Sequence, residues 1–225
     1  MFDGLARRYD AFTFLTGFGC ANIWRTETLK GISSSARVLD LGCGTGDLAL
    51  MALKKLDANG RVTGLDFSPK MLSVAKARYD RLGGRYPAAF ELIERRAEDL
   101  PLPGESFDFV VSGFVLRNLY ENIRPILKGV LASLSSGGQI RFLDLTEPKG
   151  AIRKKLFRWY MMSFVGLYGA VLFGKDYPIP YLPDSATRFL KADEFTAELT
   201  RAGFRDVSAR SFMFGSVTLY QGTKA

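Results

Sequence analysis

Between Arg37 and Leu145 short apolar runs alternate with stretches of helical pattern, and this alternation constrains the chain more than any other feature. Arg37-Val-Leu-Asp-Leu41 reads as a buried strand ended by a glycine turn. Asp47 to Leu56 reads as a helix centred on Ala49-Leu-Met-Ala-Leu53, and Arg61-Val-Thr-Gly-Leu-Asp66 as a second strand. Ser68 is a good N-cap and Pro69 suits a first helical position, which predicts a helix to about Leu82. Phe90 to Glu94 is a weaker third strand and Phe107 to Ser112 a fourth. Glu121 to Leu134 is a helix with apolar residues at Ile126, Leu127, Val130, Leu131 and Leu134, followed by a fifth strand from Gln139 to Leu145. Strands alternating with helices predict right-handed βαβ units, and so a parallel sheet covered on both faces. A later helix, Lys191 to Ala202, stops at Gly203. Phe204 to Phe212 and Ser216 to Gln221 then read as a closing strand pair around the turn Met213 to Gly215. Ligands of such sheets bind beyond the carboxyl ends of the strands. The turns after Leu41, Asp66, Ser112 and Leu145 should gather there.

Composition narrows the chemistry. The chain has 225 residues, 47% hydrophobic and 24% charged, which suits one globular domain with a modest appendage. It has no histidine, so His-based triads, HExxH zinc sites and imidazole acid–base chemistry are excluded. Cys20 and Cys43 are two cysteines far apart, which fits a reducing compartment. Met1 to Asp10 has no apolar core of a secretory signal, so a cytoplasmic location is the expectation. A net charge of +8 invites nucleic acid, an anionic membrane or an anionic ligand as partner. The basic residues are scattered and no stacking motif of the RRM or KH type appears, so nucleic acid is not expected.

The strongest local signal is Val38-Leu-Asp-Leu-Gly-Cys-Gly-Thr-Gly-Asp47, set between a predicted strand and a predicted helix. Gly42, Gly44 and Gly46 allow a tight turn and a close approach to a ligand, although glycines at such a turn can also be purely steric. A dinucleotide loop wants G-x-G-x-x-G. Asp47 stands where that third glycine would be, and it is a poor neighbour for a pyrophosphate. Asp40 on the strand suits a cationic or zwitterionic ligand instead. S-adenosylmethionine carries an ammonium and a sulfonium but no phosphate, and it matches. Asp66 at the end of the second strand can take both ribose hydroxyls, a feature shared with NAD folds. Arg96-Ala-Glu-Asp-Leu-Pro101 lies where an adenine edge would. Leu134-Ser-Ser-Gly-Gly-Gln-Ile140 reads as a turn between the fourth helix and the fifth strand.

These features occur in the order seen in class I S-adenosylmethionine-dependent methyltransferases, which the chain resembles. The resemblance implies a three-layer Rossmann-like α/β fold. Its sheet would have seven strands with the last antiparallel, flanked by N-terminal helices and a helical cap inserted after strand five. Phe2-Asp-Gly-Leu-Ala-Arg-Arg-Tyr-Asp10, Trp24-Arg25, Gly64 to Leu72 and Phe114-Val-Leu-Arg-Asn118 are similar to segments of the ubiquinone/menaquinone biosynthesis C-methyltransferases. Tyr181 to Ser185, Ala202 to Phe204 and Phe214 to Leu219 are similar to further segments of that family. The organisation implied is one domain over 1–225. It comprises lid helices in 1–35, a cofactor-binding core in 36–148, a cap in 149–190 and a closing helix and strand pair in 191–225. Arg96, where the family usually has a small polar or acidic residue, is a departure beside the expected adenine.

The resemblance implies methyl transfer from S-adenosylmethionine to a ring carbon of a prenylated quinol. The cofactor residues it implies are Asp40, Gly42, Gly44, Thr45, Gly46, Asp66, Phe67, Arg96, Ala97, Glu98 and Gly113. Arg117 and Asn118 would orient the quinol oxygen or a water, and Tyr9 in an N-terminal lid would help place the ring. Asp144 is a candidate base, and Cys43 reads as a packed small residue. The run Trp159 to Phe173 is uncharged and follows Lys149, Arg153, Lys154, Lys155 and Arg158. It is too short to span a bilayer. It reads either as a buried cap helix or as an interfacial helix contacting an anionic membrane. The competing functions are methylation of another small molecule, RNA binding, and a non-catalytic methyltransferase-like module.

Overall fold

The computed structural model describes residue 17, residues 19–173 and residues 191–225. The expectations placed on Tyr9 and on Tyr181 to Ser185 lie outside these residues. Helix α1 (Ala21–Thr28) precedes β1 (Arg37–Leu41), α2 (Asp47–Leu53), β2 (Arg61–Asp66), α3 (Pro69–Asp80), β3 (Ala89–Glu94) and β4 (Phe107–Gly113). Then come α4 (Ile123–Ser133), β5 (Leu134–Leu145), α5 (Ala151–Tyr160), a π turn (Met161–Val165) and α6 (Gly166–Phe173). The chain closes with α7 (Ala192–Ala202), β6 (Arg205–Phe212) and β7 (Val217–Thr223).

The strands form one sheet of seven, in the order β3-β2-β1-β4-β5-β7-β6. β1 to β5 run parallel, and β7 lies antiparallel between β5 and β6. The strand order reverses between β1 and β4, so a crevice opens where their following turns diverge. Alternation along β1 divides the core. Leu39 and Leu41 pack with Ile126, Leu127 and Val130 of α4 and with Phe195 and Leu199 of α7. Val38 points to the other face, with Leu48, Ala49, Ala52 and Leu53 of α2 and Leu72 of α3. Asp40 shares the parity of Val38 and therefore comes up under the start of α2. Burial on both faces explains why these strands read as nearly continuous apolar runs.

Several boundaries shift from expectation by one or two residues, and two differences go further. α2 ends at Leu53, and Lys55 and Leu56 continue with tighter bonds to the carbonyls of Ala52 and Leu53. The Gly137-Gly138 segment is not a turn ahead of β5 but a bulge within it. Leu134 pairs with Phe107 and Gln139 with Phe109, so the extra residues of β5 loop out between these pairs. Gly137 has φ +74, and backbone bonds tie Gly137 and Gly138 to Lys224. Among the described residues, no helix is long and apolar enough to cross a membrane.

Candidate active site

The turns after β1, β2 and β4 close around a cleft of about 280 Å³. Its floor is the glycine loop. Gly42 has φ +70, and a Cβ there would stand 2.6 Å from Val115 Cγ1. Glycine is thus required both by the left-handed backbone and by the approach of the turn after β4. The amides of Gly42 and Cys43 donate to the Leu65 carbonyl at 2.8 and 2.9 Å, which fastens the loop to β2. Gly46 lies behind the cleft rather than in it, where its Cβ position is 3.1 Å from Ala75 Cβ on α3. The Cys43 thiol is buried, and burial pushes its pKa well up, which fits a packed small residue and not a nucleophile.

Two acids face the cleft from the carboxyl ends of β1 and β2. Asp40 is 1% exposed, and its Oδ2 has no hydrogen-bond partner among the described residues. Burial pushes its carboxyl up to about 7. The Ala49 amide and the charge of Arg25 oppose this shift, while Asp66 and Asp47 add to it. An orphaned buried carboxylate oxygen is costly, so a donor or cation arriving in the cleft would be strongly favoured there. Asp66 is held rigidly: its Oδ2 accepts from the Gly44 amide at 2.8 Å and its Oδ1 from the Ser68 amide at 2.9 Å. The exposed ring of Phe67 follows it at the cleft edge, with Arg96, Ala97 and Glu98 beside it. Thr45, Gly44 and Gly113 also line the cleft.

Sequence reasoning missed Arg25 as a cleft residue. It is buried on α1, and its Nη2 lies 2.8 Å from Asp47 Oδ2. Its guanidinium sits 6.0 Å from the centroid of the Phe114 ring. The other oxygen of Asp47 is held by Arg78 Nη2 at 2.7 Å, and Arg78 Nη1 donates to the Thr45 carbonyl at 3.0 Å. Asp47 therefore joins α1, the loop and α3. The Trp24-Arg25 pair was legible as a resemblance, but its spacing says nothing of α1 folding back over the loop. Phe114 and Val115 were also missed as lining residues. Phe114 has φ 62, unusual for a non-glycine residue, and its amide donates to the Leu143 carbonyl at 2.7 Å.

The expected acceptor residues separate in space. Asn118 lines the cleft, whereas Arg117 does not. Its guanidinium is 2.8 Å from Asp144 Oδ1, and its Nη1 also donates to the Phe114 carbonyl. The Arg117 amide donates to Asp144 Oδ2 at 3.0 Å. Asp144 is fully buried and also accepts from the Leu145 amide at 2.7 Å. The placement of Arg117 at the rim and of Asp144 as a base is corrected accordingly. A buried guanidinium needs a carboxylate, and the nearest one ends the adjacent strand. Together they brace the Leu116–Asn118 turn against β5.

Comparison with known proteins agrees with this architecture. The model of the ubiE/COQ5 methyltransferase family matches residues 1–224. The Ubiquinone/menaquinone biosynthesis C-methyltransferase UbiE of Geotalea daltonii is 30% identical over 100% of this chain and 94% of its own length. The Demethylmenaquinone methyltransferase of Lactiplantibacillus plantarum is 32% identical over 100% of this chain and 94% of its own length. Among solved structures, a SAM dependent methyltransferase from Aquifex aeolicus superposes with a TM-score of 0.65. It is 18% identical and covers 95% of this chain and 93% of that one, a likeness of fold.

Proposed function

The chain belongs to the ubiE/COQ5 methyltransferase family, and from that premise we propose that it methylates a ring carbon of a prenylated quinol in respiratory quinone biosynthesis. It is an S-adenosylmethionine-dependent methyltransferase. The proposal extends to the acceptor, a demethylmenaquinol or a ubiquinol precursor, and to the residues that serve it. The observation that carries the cofactor assignment is the buried Asp40 oxygen, without a hydrogen-bond partner among the described residues, in a cleft floored by glycines.

The cleft suits the cofactor chemically. Asp40 would hold its ammonium, Asp66 its ribose hydroxyls, and Arg25 its carboxylate. Phe67, Ala97, Glu98 and Arg96 would flank the adenine, and Gly42, Gly44, Thr45 and Gly113 would admit the cofactor closely. When bound, the cofactor supplies an electrophilic methyl group on a sulfonium. Much of the remaining work is alignment, which can be worth about 7–11 kcal/mol. Asn118 would hold a water beside the acceptor oxygen; that water takes the hydroxyl proton, which makes the neighbouring ring carbon nucleophilic, and the proton displaced from that carbon on methylation passes to solvent. Arg117 and Asp144 position the turn that carries Asn118. Tyr9, outside the described residues, belongs to the same reading as a residue that helps place the ring. Cytoplasmic residence with peripheral contact to an anionic membrane surface belongs to the same reading, because the acceptor's tail is a lipid.

The test is incubation of the purified protein with methyl-labelled S-adenosylmethionine and a short-chain demethylmenaquinol held reduced by dithionite. Label should enter the quinol ring carbon, and the oxidised quinone should remain unlabelled. Transfer to neither a naphthoquinol nor a benzoquinol acceptor, by a protein that binds the cofactor, would refute the acceptor assignment.

A further inference from the structure

The helix after β5 presents an apolar side to water. Phe157, Met161 and Val165 are buried, whereas Ile152 (85% exposed), Leu156, Trp159, Leu167 and Val171 (71% exposed) are not. At 3.6 residues per turn, Ile152, Leu156 and Trp159 share one side of α5. A regular helix would carry Leu167 about 80° past Trp159. The π turn at Met161–Val165 winds more widely and takes up much of that drift. The stripe therefore continues through Leu167 and Val171 on α6. No acidic residue occurs from Ala151 to Phe173. By helical geometry Arg153 and Lys155 flank the stripe on either side. Both are exposed, and neither forms an ion pair among the described residues. Lys154 and Arg158 are instead engaged with Glu147 at 2.8 and 2.7 Å.

A second element, distant in sequence, joins this face. Phe214 is 83% exposed at the tip of the β6–β7 turn and has φ 56. Gly215 beside it packs on Pro148, with its Cβ position 3.5 Å from Pro148 Cα, and its carbonyl accepts from Thr146 Oγ1 at 3.1 Å. Thr146 to Pro148 lead from β5 into α5, so the exposed aromatic tip stands beside the start of the helix. Both elements leave the sheet at the carboxyl end of β5, the edge at which the cleft opens.

We propose that the stripe on α5 and α6 and the Phe214 turn form one surface that docks on an anionic lipid bilayer. The apolar side chains sit at the boundary between headgroups and acyl chains, and Arg153 and Lys155 reach lipid phosphates. The four basic residues of α5 and its length keep it lying on the membrane rather than crossing it. The inference rests on the reading of a prenylated acceptor, and it names the residues that bring the enzyme to that acceptor.

The test is flotation of the full-length protein with vesicles of pure phosphatidylcholine or of phosphatidylcholine with 30% phosphatidylglycerol. Binding to the anionic vesicles alone is expected, with a blue shift of Trp159 emission; Trp24, the other tryptophan, is buried. Arg153→Gln with Lys155→Gln should weaken partitioning about 30-fold, taking about 1 kcal/mol for each basic residue at the surface. Phe214→Ser should weaken it at least several-fold. Both variants should keep wild-type cofactor affinity, circular dichroism, and turnover of a tail-less, water-soluble quinol. Absence of anionic-vesicle binding would overturn the proposal, as would binding that both variants leave unchanged. A concentration-dependent dimer abolished by Phe214→Ser, with no vesicle binding, would assign the surface to a second copy of the chain. Vesicle binding without quinol methylation would refute the acceptor reading and leave the docking surface standing.

Discussion

Substitution of Asp40 by Asn separates the electrostatics of the cleft from its shape. Burial, with Asp66 and Asp47 nearby, raises the Asp40 carboxyl from 3.8 to about 7 against the opposing Ala49 amide and Arg25. A shift of that size is worth up to about 4 kcal/mol at 1.36 kcal/mol per unit. Its sign follows from linkage. The folded protein holds this proton more tightly than the unfolded chain, so stability without cofactor falls as pH rises from about 4 to 7 and levels off above. Asp40→Asn removes that slope, and the variant should melt above the wild type at pH 7.5 when cofactor is absent. Binding should respond in the opposite sense. An ammonium prefers the ionised carboxylate, so wild-type affinity for S-adenosylmethionine should rise about 25-fold between pH 5.5 and 7.5. An α-amino group of ordinary pKa is still mostly protonated at the top of this window, so its own titration trims the rise only slightly. In the variant, affinity should be weak and nearly independent of pH. Calorimetric titration across this window in two buffers of different ionisation enthalpy measures both affinity and proton release. A wild-type affinity that does not change with pH, matched by the variant, would refute the assignment of Asp40 to a cationic group.

Other substitutions test the remaining parts of the site. Arg25→Gln should weaken S-adenosylhomocysteine binding about 10- to 100-fold, the worth of a charge-assisted hydrogen bond. It should leave methylthioadenosine, which lacks the amino-acid carboxylate, unaffected; equal losses for both ligands in calorimetry would make Arg25 merely structural. Gly42→Ala should cost about 2–4 kcal/mol in urea unfolding, since left-handed strain adds to a clash with Val115. Arg117→Ala should cost about 3–5 kcal/mol because it strands buried Asp144, whereas Arg117→Met with Asp144→Leu should recover most of that stability. Asn118→Ala should lower kcat by at least tenfold with stability held within about 1 kcal/mol, as read by steady-state assay and thermal melting.

The α/β architecture and the glycine loop were legible because they are local. A strand buried on both faces must be an apolar run, and a loop with φ +70 at Gly42 must carry glycine. Asp40 and Asp66 lie at or next to the ends of strands whose parallel pairing brings their carboxyl ends together, so their meeting at the cleft could be anticipated. The Gly137-Gly138 bulge could not, because it depends on pairing with β4 and with the C-terminal Lys224, far away in sequence.

The acceptor side was decided by tertiary structure. Arg117 and Asn118 are neighbours in sequence, yet one turns into a buried ion pair and the other into the cleft. Which of them does so depends on Asp144, 27 residues on, occupying the adjacent strand end. Arg25 enters the site only because α1 folds over Asp47. The run after Trp159 was apolar by sequence alone, but exposure is a property of what packs against a helix, and only the fold turned its stripe outward. Sequence by itself determined the periodicities and the backbone-limited turns, since those arise from each residue's own sterics and its nearest neighbours. The pairing of buried charges and the choice of exposed face arise from contacts between distant segments, and so they were settled only when the chain closed on itself.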